Sequence, residues 1–229
     1  MWRTTFSEDH SIFYYLLLLV LVGAVLQALV IGGLFFFKRT GDGRSNAFYG
    51  TLLILFGLTL LHYIFIFTDF YESYRTLYFL PIYFTLSFPM LLFYHVKLNM
   101  YPQYKMRFSD IKHFILPIGQ FLFFLVLFSC DVDYKWRFDR WFYNPFYGAF
   151  EQFLYIVLFF AYTYFAYRYV QRKRKQVKDR SEYKKVLYAR KLLRLLFFLF
   201  CVHTLFLLSD FVSYNFLAIN LRSIKVYAA

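Results

Sequence analysis

Two short stretches hold the residue types best suited to proton exchange or ligand binding. "HYIFIFTDF" at 62–70 and "HTLFLLSDF" at 203–211 place a histidine, a hydroxyl residue, an aspartate and a phenylalanine at identical offsets. A histidine seven residues before an aspartate lies on the same helix face, two turns or about 10 Å away. His62 with Asp69 and His203 with Asp210 would together bind a small polar ligand, and either histidine can change its charge near neutral pH. Gln152 and Glu151 fall at a similar level, and Gln152 joins the candidate group. A metal would use the same residue types, but no close His-x-x-x-His or cysteine pair accompanies them, and no metal or other cofactor is expected. Blander roles compete at every position. An aspartate often just ends a span in water, and a histidine inside a bundle often only satisfies a neighbouring helix.

The elements that must carry these residues are membrane helices. Hydrophobic residues make up 61% of the chain and aromatic residues 26%, well beyond an ordinary soluble domain. Six apolar runs, about 11–37, 46–68, 76–100, 114–130, 149–169 and 192–216, approach or exceed the roughly 20 residues a helix needs to cross a hydrocarbon core. They do not alternate as barrel strands would. The expectation is an all-α, polytopic bundle in one domain covering 1–229, with no catalytic residues and no enzyme activity. The first run is too long for a signal peptide and follows Glu8 and Asp9 instead of a basic cluster. Cys130 and Cys201 fall at different depths and read as small apolar residues. Pro81, Pro89 and Pro117 lie in or beside apolar runs and predict kinks or late helix starts.

Charge orients the bundle. Segments 38–47, 97–113 and 168–194 carry net charges of +2, +3 and +10, whereas 1–10, 69–75 and 131–151 each carry −1. Basic connections stay on the cytoplasmic side, so the amino terminus is expected outside, in a cytoplasmic or inner membrane. The most basic segment offers Arg172, Lys173, Arg174, Lys175, Lys178, Lys184, Lys185, Arg190 and Lys191 to anionic headgroups, each exposed cation being worth about 1 kcal/mol near a charged leaflet. It is too short for a recognisable nucleic-acid-binding fold, and no direct nucleic-acid binding is expected. Trp136, Trp141, Tyr143 and Phe146 crowd the fourth outer loop, as an aromatic belt or a surface lid would.

If the two nine-residue stretches are related by duplication, spans one to three correspond to spans five to seven. Residues 217–229 would then begin a seventh helix, and a truncated seven-span domain is the expected reading. The alternative is an outer interfacial tail.

The stretch "FPMLLFYHVKLNMYPQYKMRFSDIKHFILP", residues 88–117, resembles the membrane half of AraC-family regulators that carry a polytopic sensor before a cytoplasmic helix-turn-helix module. The likeness rests on Pro89, Phe93, Tyr94, Val96 and Lys97, then His113, Phe114 and Pro117. It implies seven spans and a DNA-binding domain beyond them. This chain lacks both in its 229 residues, so DNA binding is not carried over.

Two functional classes follow. The first is a membrane-embedded sensory module that transmits an external or membrane-borne signal by helix rearrangement. Its expected partners are a bilayer with anionic headgroups and a cytoplasmic output domain or partner, with a homodimer left open. The second is a small transporter or channel using the His/Asp site in the outer half. The inner half reads as nearly all Phe, Leu and Ile, which argues against a continuous polar pathway.

Overall fold

The computed structural model of the chain describes residues 12–38 and 41–216, without the side chains of Ser181 and of residues 210–216. Every regular element among them is helical. The long elements are α1 (Ile12–Phe37), α2 (Gly43–Phe67), α4 (Phe88–Met100), α5 (Ile115–Phe128), α7 (Gly148–Gln176) and α8 (Arg180–Phe216), with short helices α3 (Phe70–Ser73) and α6 (Val132–Phe138) between them. Five helical segments, Ile12–Phe37, Gly43–Phe67, Phe108–Phe128, Val132–Gln176 and Glu182–Ser209, are long and apolar enough to cross a membrane. The chain is a helical membrane protein. The expected start of a seventh helix at 217–229 and the acidic amino-terminal flank lie outside the described residues.

The third apolar run is not one helix. Residues 74–87 form two 3-10 turns, Arg75–Leu77 and Thr85–Ser87, joined by irregular backbone, and the α-helix begins only at Phe88. Pro81 contributes to this by removing a backbone donor and disfavouring helix at Leu80, and Pro89 falls in the first turn of α4, where its missing N–H has no helical partner to lose. Phe79 sits nearby in left-handed backbone at φ 63°, a conformation that a bulky residue adopts only when its surroundings enforce it. They do so here: its buried ring packs edge-on against Tyr78 and Tyr143. The remaining α4 has 13 residues, about 20 Å, too short to cross alone.

α4 is the centre of the molecule. Of its residues only Asn99 is not buried. α2, α7 and α8 pack around it, α1 packs on the far side of α2, and α8 leans chiefly on α7. A helix this apolar belongs in such a position, and its buried polar side chains His95 and Lys97 find partners there. Two glycines set the closest approach of α1 and α2. A Cβ at Gly32 would come within 2.9 Å of the Gly50 carbonyl oxygen, and one at Gly50 within 2.7 Å of the Gly32 carbonyl oxygen.

Contacts between distant segments sort the connections into two ends. The Arg44 guanidinium donates to the Tyr104 carbonyl at 2.8 Å and to that of Pro102. Lys97, Tyr101 and Tyr104 share one cavity with Tyr169 and Lys173. These three basic segments therefore gather at one end, the basic end. At the opposite end Tyr14 stacks on Phe67, Tyr71 meets Tyr78 and Tyr78 meets Trp136. The Lys135 ammonium donates to the Thr76 carbonyl there at 3.0 Å. The charge asymmetry is thus a physical separation of the two ends.

The aromatic stretch after α5 differs from the expected loop. It is helical throughout, α6 passing into a π-helical stretch, Asp139–Tyr147, and on into α7. Tyr143 points into the core against Phe79. Trp136 is flanked by the guanidinium groups of Arg75 and Arg140, and Trp141 and Phe146 are exposed. Cys130 and Cys201 are both free.

Candidate functional site

The break before α4 explains why certain polar side chains are buried in an apolar bundle. Irregular backbone at membrane depth must have its N–H groups satisfied from elsewhere. Thr59 of α2 does this for Phe84, whose N–H donates to its Oγ1 at 3.0 Å, and Gln120 of α5 does it for Leu86, whose N–H donates to Oε1 at 3.2 Å. The other end of the Gln120 amide donates to Thr85 Oγ1 at 3.0 Å and to Glu151 Oε1. Thr85 in turn donates its hydroxyl to Glu151 Oε1 at 2.9 Å. One carboxyl oxygen thus ties together the broken segment, α5 and the first turn of α7.

The second oxygen of that carboxyl is different. Glu151 is 3% exposed, and its Oε2 is buried with no hydrogen-bond partner. It belongs to none of the ion pairs among the described residues. Burial of a polar atom in this state costs about 1–3 kcal/mol, and an ionisable group inside a membrane bundle is most often there for function. Its protonation state and the packing around it are coupled, since a bare charge here would have no countercharge. Tyr63, Tyr83, Tyr143 and Tyr147 lie close enough to feel that charge.

The predicted His/Asp group is only partly assembled. His62 is half-buried beside this cluster, with Nδ1 2.8 Å from the Tyr71 hydroxyl and its ring 5.0 Å from that of Tyr83. His203 lies on an exposed part of α8, its ring 5.9 Å from Phe200 and 6.5 Å from Tyr155. α2 and α8 both pack on α4, and α8 chiefly on α7, with Tyr83 beside His62 and Tyr155 beside His203. Asp69 is exposed in left-handed backbone at φ 53°, just beyond the end of α2. In the matching stretch α8 runs helically through position 210 to Phe216, so the two segments are both helical at first and part at the hydroxyl and aspartate positions, where α2 has ended. The Asp210 side chain lies outside the described residues. Gln152 is exposed, and its neighbour Glu151 is the inward-facing residue. Among the described residues no three His, Cys, Asp or Glu side chains stand together as a metal site.

Polar groups also occupy the half of the bundle nearer the basic end, contrary to the apolar reading of the sequence. Ser45 Oγ donates to the His95 carbonyl at 2.9 Å, and His113 Nδ1 is 2.6 Å from the Tyr162 hydroxyl. Lys97 and Asp110, both nearly fully buried, pair at 3.7 Å. Asp110 also accepts from the Tyr104 hydroxyl at 2.8 Å and from the Arg107 N–H at 2.7 Å. Of the cations assigned to headgroup contact, Arg172, Arg174, Lys175, Lys178, Lys184, Lys185 and Lys191 are exposed, while Lys173 and Arg190 are half-buried. They lie on the helical hairpin formed by α7 and α8, which turns at 177–179.

The residues the sequence reading passed over are Thr85, Gln120 and Thr59, while Glu151 was placed at the level of the candidate group but not within it. Gln120 left a signal, as the lone strongly polar residue in "ILPIGQFLFFLVLF". Comparison with known protein families, curated proteins and solved structures finds no match for this chain.

Proposed function

We propose that the chain is a sensory module of the cytoplasmic or inner membrane, in which the Thr85–Gln120–Glu151 junction is the element that changes state. The observation that carries this reading is the buried Glu151 carboxyl, with one oxygen clamped to two other segments and the other unsatisfied. A ligand, proton or cation that engaged Oε2 would alter the balance of hydrogen bonds holding the break in place, and so bias a two-state element. α7 then runs helically from this carboxyl to Gln176, about 38 Å at the rise of an α-helix. A change at its first turn is thereby linked to the hairpin at the basic end. The hairpin's exposed cations fit contact with anionic headgroups. The resemblance of residues 88–117 to AraC-family membrane sensors supports the same class, with output passing to a cytoplasmic partner.

Transport is the second reading, favoured by His95, His113, Lys97 and Asp110, which extend polar groups toward the basic end. Two measurements on the full chain in lipid vesicles separate the readings. Spin labels at Gln103→Cys and Lys178→Cys, with Cys130 and Cys201 replaced by Ala, should show a changed distance distribution when Glu151→Gln is introduced, and no proton flux should follow a pH jump. An unchanged distribution with a flux lost in Glu151→Gln would reject the sensor in favour of a transporter.

A further inference from the structure

A cavity of about 310 Å³ opens at the basic end, lined by Lys97, Met100, Tyr101, Tyr104, Tyr169 and Lys173 among others. Its two ammonium groups come from different helices and are held differently. Lys97 is 5% exposed, paired with Asp110, and its Nζ lies 3.6 Å from the centre of the Tyr104 ring. That charge is already balanced and caged. Lys173 stands at the rim, 5.7 Å from the Tyr101 ring centre, and its only ion-pair partner among the described residues is Glu182 at 3.4 Å. The Glu182 side chain is 49% exposed, and exposed pairs of this kind are weak. Lys173 can exchange it for another anion at little cost. Arg172 lies within electrostatic reach of Tyr101, and Arg174 and Lys175 follow on the same helix.

The walls are aromatic and apolar, and the exchangeable cation is at the mouth. This arrangement suits a ligand with a phosphate at one end and a carbon body at the other, and basic pockets between membrane helices are where anionic headgroups bind. We propose that this cavity binds the phosphate-bearing headgroup of an anionic phospholipid, with the phosphate at Lys173 and the glycerol against Tyr101, Tyr104 and Tyr169. Two carboxylates bear on the site. Asp110 is neutralised by Lys97 and by hydrogen bonds from Tyr104 and Arg107. Glu182 competes directly for Lys173. The proposal stands on geometry separate from the Glu151 junction and does not depend on the sensor reading.

The test is lipid retention by the full chain in detergent, read by native mass spectrometry after adding phosphatidylglycerol or phosphatidylcholine. Phosphatidylglycerol should be retained in preference, and Lys173→Gln should weaken that retention about fivefold, as removal of one cation near anionic lipid predicts. Glu182→Gln removes the competitor and should strengthen it, while Arg137→Gln, an exposed cation of α6 at the opposite end of the bundle, should leave it within about twofold of wild type, since charges beyond a Debye length contribute little. Equal retention of the two lipids, or equal losses in Lys173→Gln and Arg137→Gln, would overturn the site. sn-Glycerol 3-phosphate supplies the other arm. Calorimetric binding of it that depends on Lys173, without preferential retention of phosphatidylglycerol, would overturn the lipid assignment and assign the cavity to a soluble organic phosphate.

Discussion

A single position on one helix separates the residue that faces solvent or lipid from the one that faces the junction. Gln152 and Glu151 are adjacent, and one residue turns a helix by about 100°. Hydrophobicity could not choose between them in a run that is apolar on most sides, so the level of the site was legible and its facing residue was not. Gln120 makes the clearest energetic prediction. Truncating it to Ala would strand the Leu86 N–H and weaken the hold on Glu151, at about 1–3 kcal/mol for each buried group left unsatisfied, whereas Gln152→Ala should change little. Thermal unfolding of the two variants in detergent measures the difference. Equal midpoints would mean that the junction contributes nothing. Asp110→Ala should cost more, about 3–5 kcal/mol, because it leaves the Lys97 ammonium buried without its partner. Restoring balance with the double change Asp110→Ala and Lys97→Met should recover a large part of that loss in the same assay.

At the scale of elements, the helical class and most helix positions followed from long apolar runs, which leave no other way to satisfy backbone groups in lipid. The third run shows the limit of that reasoning. Hydropathy sees an unbroken stretch at 76–100, but the helix begins only at Phe88, past Pro81 and with Pro89 in its first turn, and the backbone left free before it is satisfied by Thr59 and Gln120 from two other helices. No local pattern reveals such long-range partners, although the prolines do announce a late start. Residues Pro89 through Lys97 lie in the best-buried helix, where their types answer to packing. The α1–α2 crossing gives the element-scale test. Gly50→Leu places side-chain atoms where the Gly32 carbonyl oxygen lies and should destabilise the protein by about 1–3 kcal/mol, the usual cost of overpacking. Gly33→Ala meets nothing within 4 Å and should be neutral or slightly stabilising. A well-folded Gly50→Leu with an unchanged unfolding midpoint would show that the two helices do not cross this closely.

For the whole molecule, the loop charges read from the sequence map onto two ends of the bundle, through contacts such as Arg44 with Tyr104 and Lys135 with Thr76. Placement of those ends on opposite sides of a membrane predicts that Gln103→Cys and Lys178→Cys react with an impermeant thiol reagent from one side and Glu72→Cys from the other. Labelling of all three from the same face would undo the arrangement. What the sequence could not convey is the route of the proposed coupling between the ends, since that depends on α4 being enclosed and on α7 carrying Glu151 at its first turn. Hydrogen–deuterium exchange of the lipid-embedded protein tests this coupling most directly. With Glu151→Gln, the account predicts faster exchange both in residues 78–87 and in the hairpin turn at 173–183. Faster exchange confined to 78–87, with the hairpin unchanged, would contradict it.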